Sequence, residues 1–253
     1  MALTGQHFNF HRLLLGQHIG SSKPPVLPRG VNSRLALGGH FYSGGDKYQT
    51  VLVDAFGTIV RIRSATHPYR RLLKEGLQSG RRPMQGDIRT LMTFDGDLAQ
   101  AAELLQITVL PERLAQIQDS LDREIHSIEA FPDALEAIQA LQAQKVRVGI
   151  CSNLAAPYGS AVKRLFPTLD AYALSYEIGA LKPDPVMYRS ACSLLGVSVG
   201  DRFGEGRVAM VGDSLRCDCH GPRAVGINGL HLDRSGAGKI SNLMDFASLI
   251  LAD

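Results

Sequence analysis

Residues 50–60 read TVLVDAFGTIV. Val51-Leu52-Val53 is a short apolar run of the kind that forms a buried strand, and it ends in a carboxylate, Asp54, followed by Gly57 and Thr58 in a tight loop. An acid at the carboxyl end of a buried parallel strand stands where open α/β sheets place their chemistry. Strands also end in Asp for the ordinary reason that Asp caps and turns well. Two later apolar runs finish the same way. VRVGICSN ends in Ser152-Asn153, and VAMVGDS ends in Asp213-Ser214.

Between the first run and the second, the pattern changes. Residues from about 65 to 130 carry apolar side chains at helical spacing with charges on the opposite face, over Pro68-Tyr-Arg-Arg-Leu-Leu-Lys-Glu, Asp97 to Leu105 and Pro111 to Ile128. β-type alternation is missing there. Leu114, Ile117, Leu121 and Ile125 form a stripe that reads as core packing, with no ligand role. From Phe131 the chain alternates strand and helix. Helix Pro132 to about Ala143 leads to strand Val146–Cys151, a helix near Tyr158–Leu165, and strand Ala171–Ser175. Helix 185–195, strand Val208–Val211, a helix at about 217–225, strand Leu230–Leu232 and a last helix from about Ser241 follow. Such alternation predicts an α/β fold with a parallel sheet and right-handed crossovers.

A chain of 253 residues, 20% of them charged, 45% hydrophobic and none of them Trp, has an ordinary composition for a globular enzyme. The net charge of +3 is unevenly spread. Residues 1–45 have no Asp or Glu and carry Arg12, Lys23, Arg29 and Arg34, so the remainder is near neutral and offers no basic face for nucleic acid. Residues 1–47, with a Lys23-Pro24-Pro25 break and no sustained periodicity, read as a flexible extension. The same composition fits a tail, an organelle transit peptide or an over-called start, and Leu13-Leu14-Leu15 is too brief for a secretory signal. Cys151, Cys192, Cys217 and Cys219 show no disulfide spacing, which predicts reduced thiols and a cytoplasmic protein. The run Cys217-Asp218-Cys219-His220 lacks the second ligand pair that zinc needs. No apolar stretch approaches the roughly 20 residues of a membrane span.

Asp54-Ala-Phe56-Gly57-Thr58, Ser152-Asn153, Lys182-Pro183 and Gly212-Asp213-Ser214-x-x-x-Asp218 occur in that order, and together they resemble the four motifs of the haloacid dehalogenase-like hydrolase superfamily. The likeness covers about residues 48–235. It implies a Rossmann-like hydrolase core over 48–64 and 131–253, with a helical cap domain inserted at 65–130. It also implies roles. Asp54 is the covalent nucleophile; Ser152 and the loop amides after Asp54 bind the transferring group; Lys182 offsets crowded negative charge; Thr58 fixes the loop. Asp213, Asp54 and the Phe56 carbonyl hold Mg²⁺, with Asp218 a supporting acid in the same pocket. Gly57, Asn153 and Tyr188 complete the expected substrate-binding set with Phe56. The expected partner is a small-molecule substrate, not nucleic acid or membrane, with the chain a monomer or homodimer.

One departure bears on the reaction. The family's phosphatases carry a second Asp two residues after the nucleophile as general acid and base, and here that residue is Phe56. An absent acid–base group costs about 10²–10⁴ in rate. The family's metal-independent 2-haloacid dehalogenases carry an aromatic there, and Lys182 followed by Tyr188 matches them too. Gly212-Asp213-Ser214 instead resembles the magnesium-dependent branch. Three readings follow: a Mg²⁺-dependent phosphatase on a small phosphorylated metabolite; a 2-haloacid dehalogenase, with Arg70, Arg71, Arg81 or Arg82 receiving the substrate carboxylate; and a catalytically weak binding or regulatory member.

Overall fold

Val51, Leu52 and Val53 are at most 1% exposed. A strand is this buried only when both faces are covered, so β1 (Thr50–Val53) lies inside a sheet and not at its edge. The computed structural model describes residues 48–199 and 207–252. In it β1 is flanked by β4 (Arg147–Ser152) and β6 (Val208–Gly212), with β5 (Ala171–Leu174) outside β4 and β7 (Asn228–His231) outside β6. Every pairing is parallel. The chain therefore builds outward from β1 on one side and then returns to build on the other, which opens a crevice at the carboxyl ends of β1, β4 and β6.

Register decides what reaches that crevice. Val53 pairs with Ile150 on one side and Val211 on the other. Asp54 thus leaves the sheet level with Cys151 and Gly212, while Ser152 and Asp213 stand one residue further out. The helices cover the faces as parallel strands require. Helix α5 (Pro132–Ala143) begins with Pro at its first turn, where the missing N–H is no loss, and packs against the last helix, α9 (Leu243–Leu251). Between them in the chain come α6 (Ala156–Leu165), the short α7 (Ser175–Ile178) and α8 (Pro185–Leu194).

The segment between the first two sheet strands is helical, as its periodicity predicts: α1 (Pro68–Gln78), α2 (Asp87–Thr93), α3 (Leu98–Leu104) and α4 (Pro111–His126). Asp97 and Gln100 form a reciprocal capping box at the start of α3. On α4, Ile117 and Leu121 are buried, while Leu114 and Ile125 pack at the cluster's edge, so the predicted stripe is core. This insertion shares one continuous apolar cluster with the sheet.

Several boundaries differ from the sequence expectation. The last insertion helix stops at His126 rather than Ile128, and Ile128–Ala130 (β3) pairs antiparallel with Val60–Ile62 (β2) across the base of the insertion. Three-residue strands are too short for alternation to register. The helix expected at about 217–225 is a π-helical turn, Leu215–His220, running into a single α-turn, Gly221–Arg223. Neither α2 nor α7 is anticipated by the sequence pattern; α7, of four residues, is too short to show a helical period. The expected N-terminal extension, residues 1–47, lies outside the described residues. Among the described residues no helix is long and apolar enough to cross a membrane.

Candidate active site

Asp54 is fixed first by its backbone, whose N–H donates to the Val211 carbonyl at 3.0 Å. Its carboxylate then meets a lysine from 128 residues away. Lys182 Nζ donates to Asp54 Oδ1 at 2.7 Å and to Asp218 Oδ1 at 2.6 Å, with the lysine side chain 2% exposed. The loop carrying Lys182 is held by Asn153, which clamps its backbone from both sides: the Asn153 amide donates to the Lys182 carbonyl at 3.0 Å and its Oδ1 accepts the Lys182 N–H at 2.8 Å. Asn153 sits just past β4 and is no helix cap, because the next helix starts from Ala155.

Asp218 reaches the lysine because of the π-helical turn. Ser214 opens that turn, accepting from the Cys217 N–H at 3.2 Å, and its own N–H donates to Asp218 Oδ2 at 2.9 Å. One Asp218 oxygen is thereby tied to the turn and the other to Lys182. Tyr188 supports the same turn from beneath, fully buried, its hydroxyl donating to the Cys217 carbonyl at 2.6 Å. The neighbouring cysteines point elsewhere: Cys217 Sγ toward the Lys182 carbonyl and Cys219 Sγ toward the Gly229 carbonyl. All four cysteines are free.

Two glycines let the acids approach. Gly57 has φ +82°, and a Cβ on it would stand 2.5 Å from Asp213 Oδ2; a Cβ on Gly212 would stand 2.4 Å from Asp218 Cγ. The result is a cluster of three carboxylates, Asp54, Asp213 and Asp218, each offering an oxygen within 4.8 Å of the others. Against them stands one ammonium, that of Lys182. Burial works against the charge of Lys182, but Asp218 and Asp54 outweigh it and hold the lysine well above its usual pKa. Asp213 is pushed up to about 8 by burial, Asp54 and Asp218. Burial pushes Asp218 to about 6 against the pull of Lys182. Three hard oxygen donors carrying more negative charge than their lysine neutralises fit a divalent cation that takes oxygen ligands.

The remaining predicted residues lie around this cluster. Thr58 Oγ1 is 3.5 Å from Asp54 Oδ2, at the outer limit of a hydrogen bond. Ser152 is 1% exposed at the end of β4. Phe56 packs edge-on against Tyr158 of α6, with centroids 5.8 Å apart and planes at 88°. The Tyr158 hydroxyl donates to Glu124 Oε1 at 2.7 Å. Glu124, 2% exposed on α4, also accepts from the His67 N–H at 2.8 Å, the Thr66 hydroxyl at 3.1 Å and the Thr66 N–H. None of the four arginines considered for a substrate carboxylate bonds to the acidic cluster. Arg81 grips Asp87 with both terminal nitrogens at 2.7 Å, Arg71 donates to Ser120 Oγ at 2.9 Å, and Arg70 and Arg82 are exposed.

Two supports had no sequence signal. Arg234 donates to the Thr58 carbonyl at 2.6 Å and the Gly57 carbonyl at 3.3 Å while paired with Asp133 at 3.0 Å, so it pins the loop after Asp54 to α5. Ser175 accepts from the Leu154 N–H at 2.9 Å and lies 2.6 Å from the Met92 carbonyl, joining β5 to the insertion. Neither belongs to a motif, and each acts through backbone groups that any residue could offer.

The family model described as haloacid dehalogenase-like hydrolase matches residues 48–226. The (S)-2-haloacid dehalogenase 4A of Burkholderia cepacia is 27% identical over 208 residues, 76% of this chain and 85% of that protein. Phosphatase MT3486 of Mycobacterium tuberculosis (strain CDC 1551 / Oshkosh) is 27% identical over 125 residues, 48% of this chain, and the match spans about half of that phosphatase, 54%. Among solved structures, a HAD phosphatase from Thermococcus onnurineus superposes with a TM-score of 0.55 over 81% of this chain and 99% of its own, at 21% identity. At that identity the likeness is one of fold.

Proposed function

We propose that this chain, which belongs to the haloacid dehalogenase-like hydrolases, is a Mg²⁺-dependent phosphatase acting on a small phosphorylated metabolite, with Asp54 as covalent nucleophile. The observation that carries the reading is the excess of buried carboxylate: three acids within 4.8 Å of one another, with Asp213 pushed up to about 8. A metal-free site for an anionic substrate gains nothing from Asp213, which repels both nucleophile and substrate. With a divalent cation the same acid becomes a ligand.

Asp54, Asp213 and the Phe56 carbonyl would hold the cation, with Asp218 beside them, and when bound it would neutralise charge on the phosphoryl oxygens. Lys182 orients Asp54 by donating to one of its oxygens, leaving the other to attack. Ser152 and the Ala55 amide would hydrogen-bond the phosphoryl group, the Gly57 and Thr58 amides being taken by the Val60 and Ala55 carbonyls, and Asn153 keeps the lysine loop in register. The helical insertion, anchored through Glu124 and Tyr158, serves as the cap that excludes water. A second reading, halide displacement from a 2-haloacid, is favoured by Phe56, since halide needs no proton. Against it, none of Arg70, Arg71, Arg81 and Arg82 bonds to the cluster.

The test is phosphate release from sugar phosphates, nucleotides and an aryl phosphate, with Mg²⁺ and with EDTA. Release that requires Mg²⁺ and falls on the order of 10⁴-fold or more in Asp54→Asn supports the phosphatase. Chloride release insensitive to EDTA, with no phosphate release, overturns it in favour of the second reading.

A further inference from the structure

We infer that the opposite pole of the sheet carries a second binding site, for a small organic dianion, in the cavity at the amino ends of β6 and β7. Such a site is independent of which reaction the acid cluster carries out.

A cavity of about 500 Å³ opens there, within the range of about 300–1,000 Å³ that holds a metabolite-sized ligand. Val208 and Ile227 form its apolar part, and Tyr48, Arg207, Arg223 and Asn228 bring the polar groups. Val208 and Asn228 are the first residues of their strands, whereas Asp213 follows the last residue of β6. Five strand steps, each of about 3.3 Å, therefore put the cavity about 15 Å from the acids.

The charge here is the reverse of that at the carboxyl ends. Two guanidiniums line the cavity and, among the described residues, no carboxylate does. Arg223 donates from Nε to the Gly229 carbonyl at 2.9 Å, which orients the guanidinium, and among the described residues its two terminal nitrogens have no partner. A planar fork held by its inner nitrogen, with both outer nitrogens open, matches two oxygens of a phosphate or carboxylate. Arg207 has its guanidinium carbon 4.8 Å from the centre of the Tyr48 ring, so an aromatic face holds the second charge at the cavity wall. The Asn228 amide donates to the Tyr48 hydroxyl, whose own proton has no acceptor among the described residues.

The backbone contributes little. The amides of Ala224, Val225, Gly226 and Ile227 all donate to nearby carbonyls, closing that turn on itself. Recognition falls to the side chains, and these are two cations, a phenol and an amide. Two positive charges on one cavity favour a ligand with two negative ones, and the volume leaves room for an organic part against Val208 and Ile227. Phosphate monoesters and dicarboxylates share this chemistry. Among the described residues no carboxylate, thiol or imidazole lines the cavity, so nothing there attacks the ligand, which is bound and released unchanged.

The experiment follows backbone amide NMR shifts of the isotope-labelled full chain in EDTA, where three acids against one lysine disfavour an anion at the other pole. Glycerol phosphate, succinate and acetate are titrated in turn at low salt. The expected result is saturable movement of the Val208, Gly226, Ile227 and Asn228 amides with one or both dianions, weakened by added NaCl, with acetate binding about 10-fold more weakly or worse. Saturation by glycerol phosphate alone marks the ligand as a phosphate ester, and saturation by succinate alone as a dicarboxylate. Arg223→Met should weaken the binding about 10- to 100-fold, the loss of charged hydrogen bonds. If that variant does not fold, Arg223→Lys, which keeps the charge and loses the fork, should weaken it by a smaller factor. Movement confined to the loops of Asp54, Ser152 and Asp213, a failure to saturate, or unchanged affinity in a folded Arg223 variant overturns the second site. So does acetate binding as tightly as either dianion.

Discussion

Lys182 and Arg81 are each held by buried carboxylates and each pulls its acids down, yet those acids end on opposite sides of the ordinary range. Arg81, in the insertion, faces Asp87 alone: two bonds of 2.7 Å, a third to Asp87 from the Met84 N–H at 2.8 Å, and the acid 4% exposed. Charge is balanced one to one. The Arg81 guanidinium accordingly holds Asp87 below the usual carboxylate range, burial opposing it. Lys182 serves Asp54 and Asp218 with Asp213 beside them, so charge is unbalanced. There the acids rise, Asp213 to about 8 and Asp218 to about 6. Arg81 outweighs burial for its single acid, whereas burial and the repulsion among three acids outweigh Lys182, and surrounding packing holds that cluster together. Perturbation of the second kind is what working sites show.

The comparison is most easily broken at Lys182. Lys182→Met should lower phosphate release by about 10²–10³-fold, the cost of removing one preorganised charged donor, with the fold retained when Mg²⁺ is present. Undiminished turnover would make Lys182 a structural cation like Arg81. The reciprocal substitution, Arg81→Met, should leave kcat near wild type and lower stability by about 1–3 kcal/mol, because Asp87 stays buried without its partner. Thermal melting reads this as a drop of several degrees. Collapse of activity in a folded Arg81→Met protein would instead place that arginine on the substrate and revive the halide reading.

A third test sharpens the contrast through pH. Asp87 has a lowered folded pKa, so its contribution is complete above 3.8 and drains away as pH falls through the folded value. Asp213 has the opposite sign. Its folded form binds a proton more tightly than the unfolded chain does, so in EDTA this contribution to stability is lost as pH rises from 3.8 to about 8. Melting temperature in EDTA should decline over that interval, and Mg²⁺ should flatten the decline. A flat profile in EDTA would mean that the cluster carries no excess charge.

Much of this was legible in the sequence. Pro132 and the apolar spacing after it specify α5, and the runs ending in Asp54, Ser152 and Asp213 become neighbouring strands β1, β4 and β6. What escaped was short or acted through backbone. The two three-residue strands at the base of the insertion carry too few side chains to show a period. Arg234 reads as one arginine after a strand until the fold sets it against the Gly57 and Thr58 carbonyls. Asn153 reads as one of a substrate-binding set, and the structure shows its side chain clamping the Lys182 backbone.

By itself the sequence determined the chemical inventory and its placement along the chain: which strands end in acids, where a lysine follows, and that an aromatic, Phe56, stands two residues after Asp54. Only the tertiary structure decided which of these meet. Lys182 lies 128 residues from Asp54 and 36 from Asp218. The physical reason is range. Side-chain periodicity reports on neighbours a few residues apart, whereas the excess of carboxylate over lysine exists only once parallel pairing brings three strand ends together and a π-helical turn aims Asp218 at the same ammonium.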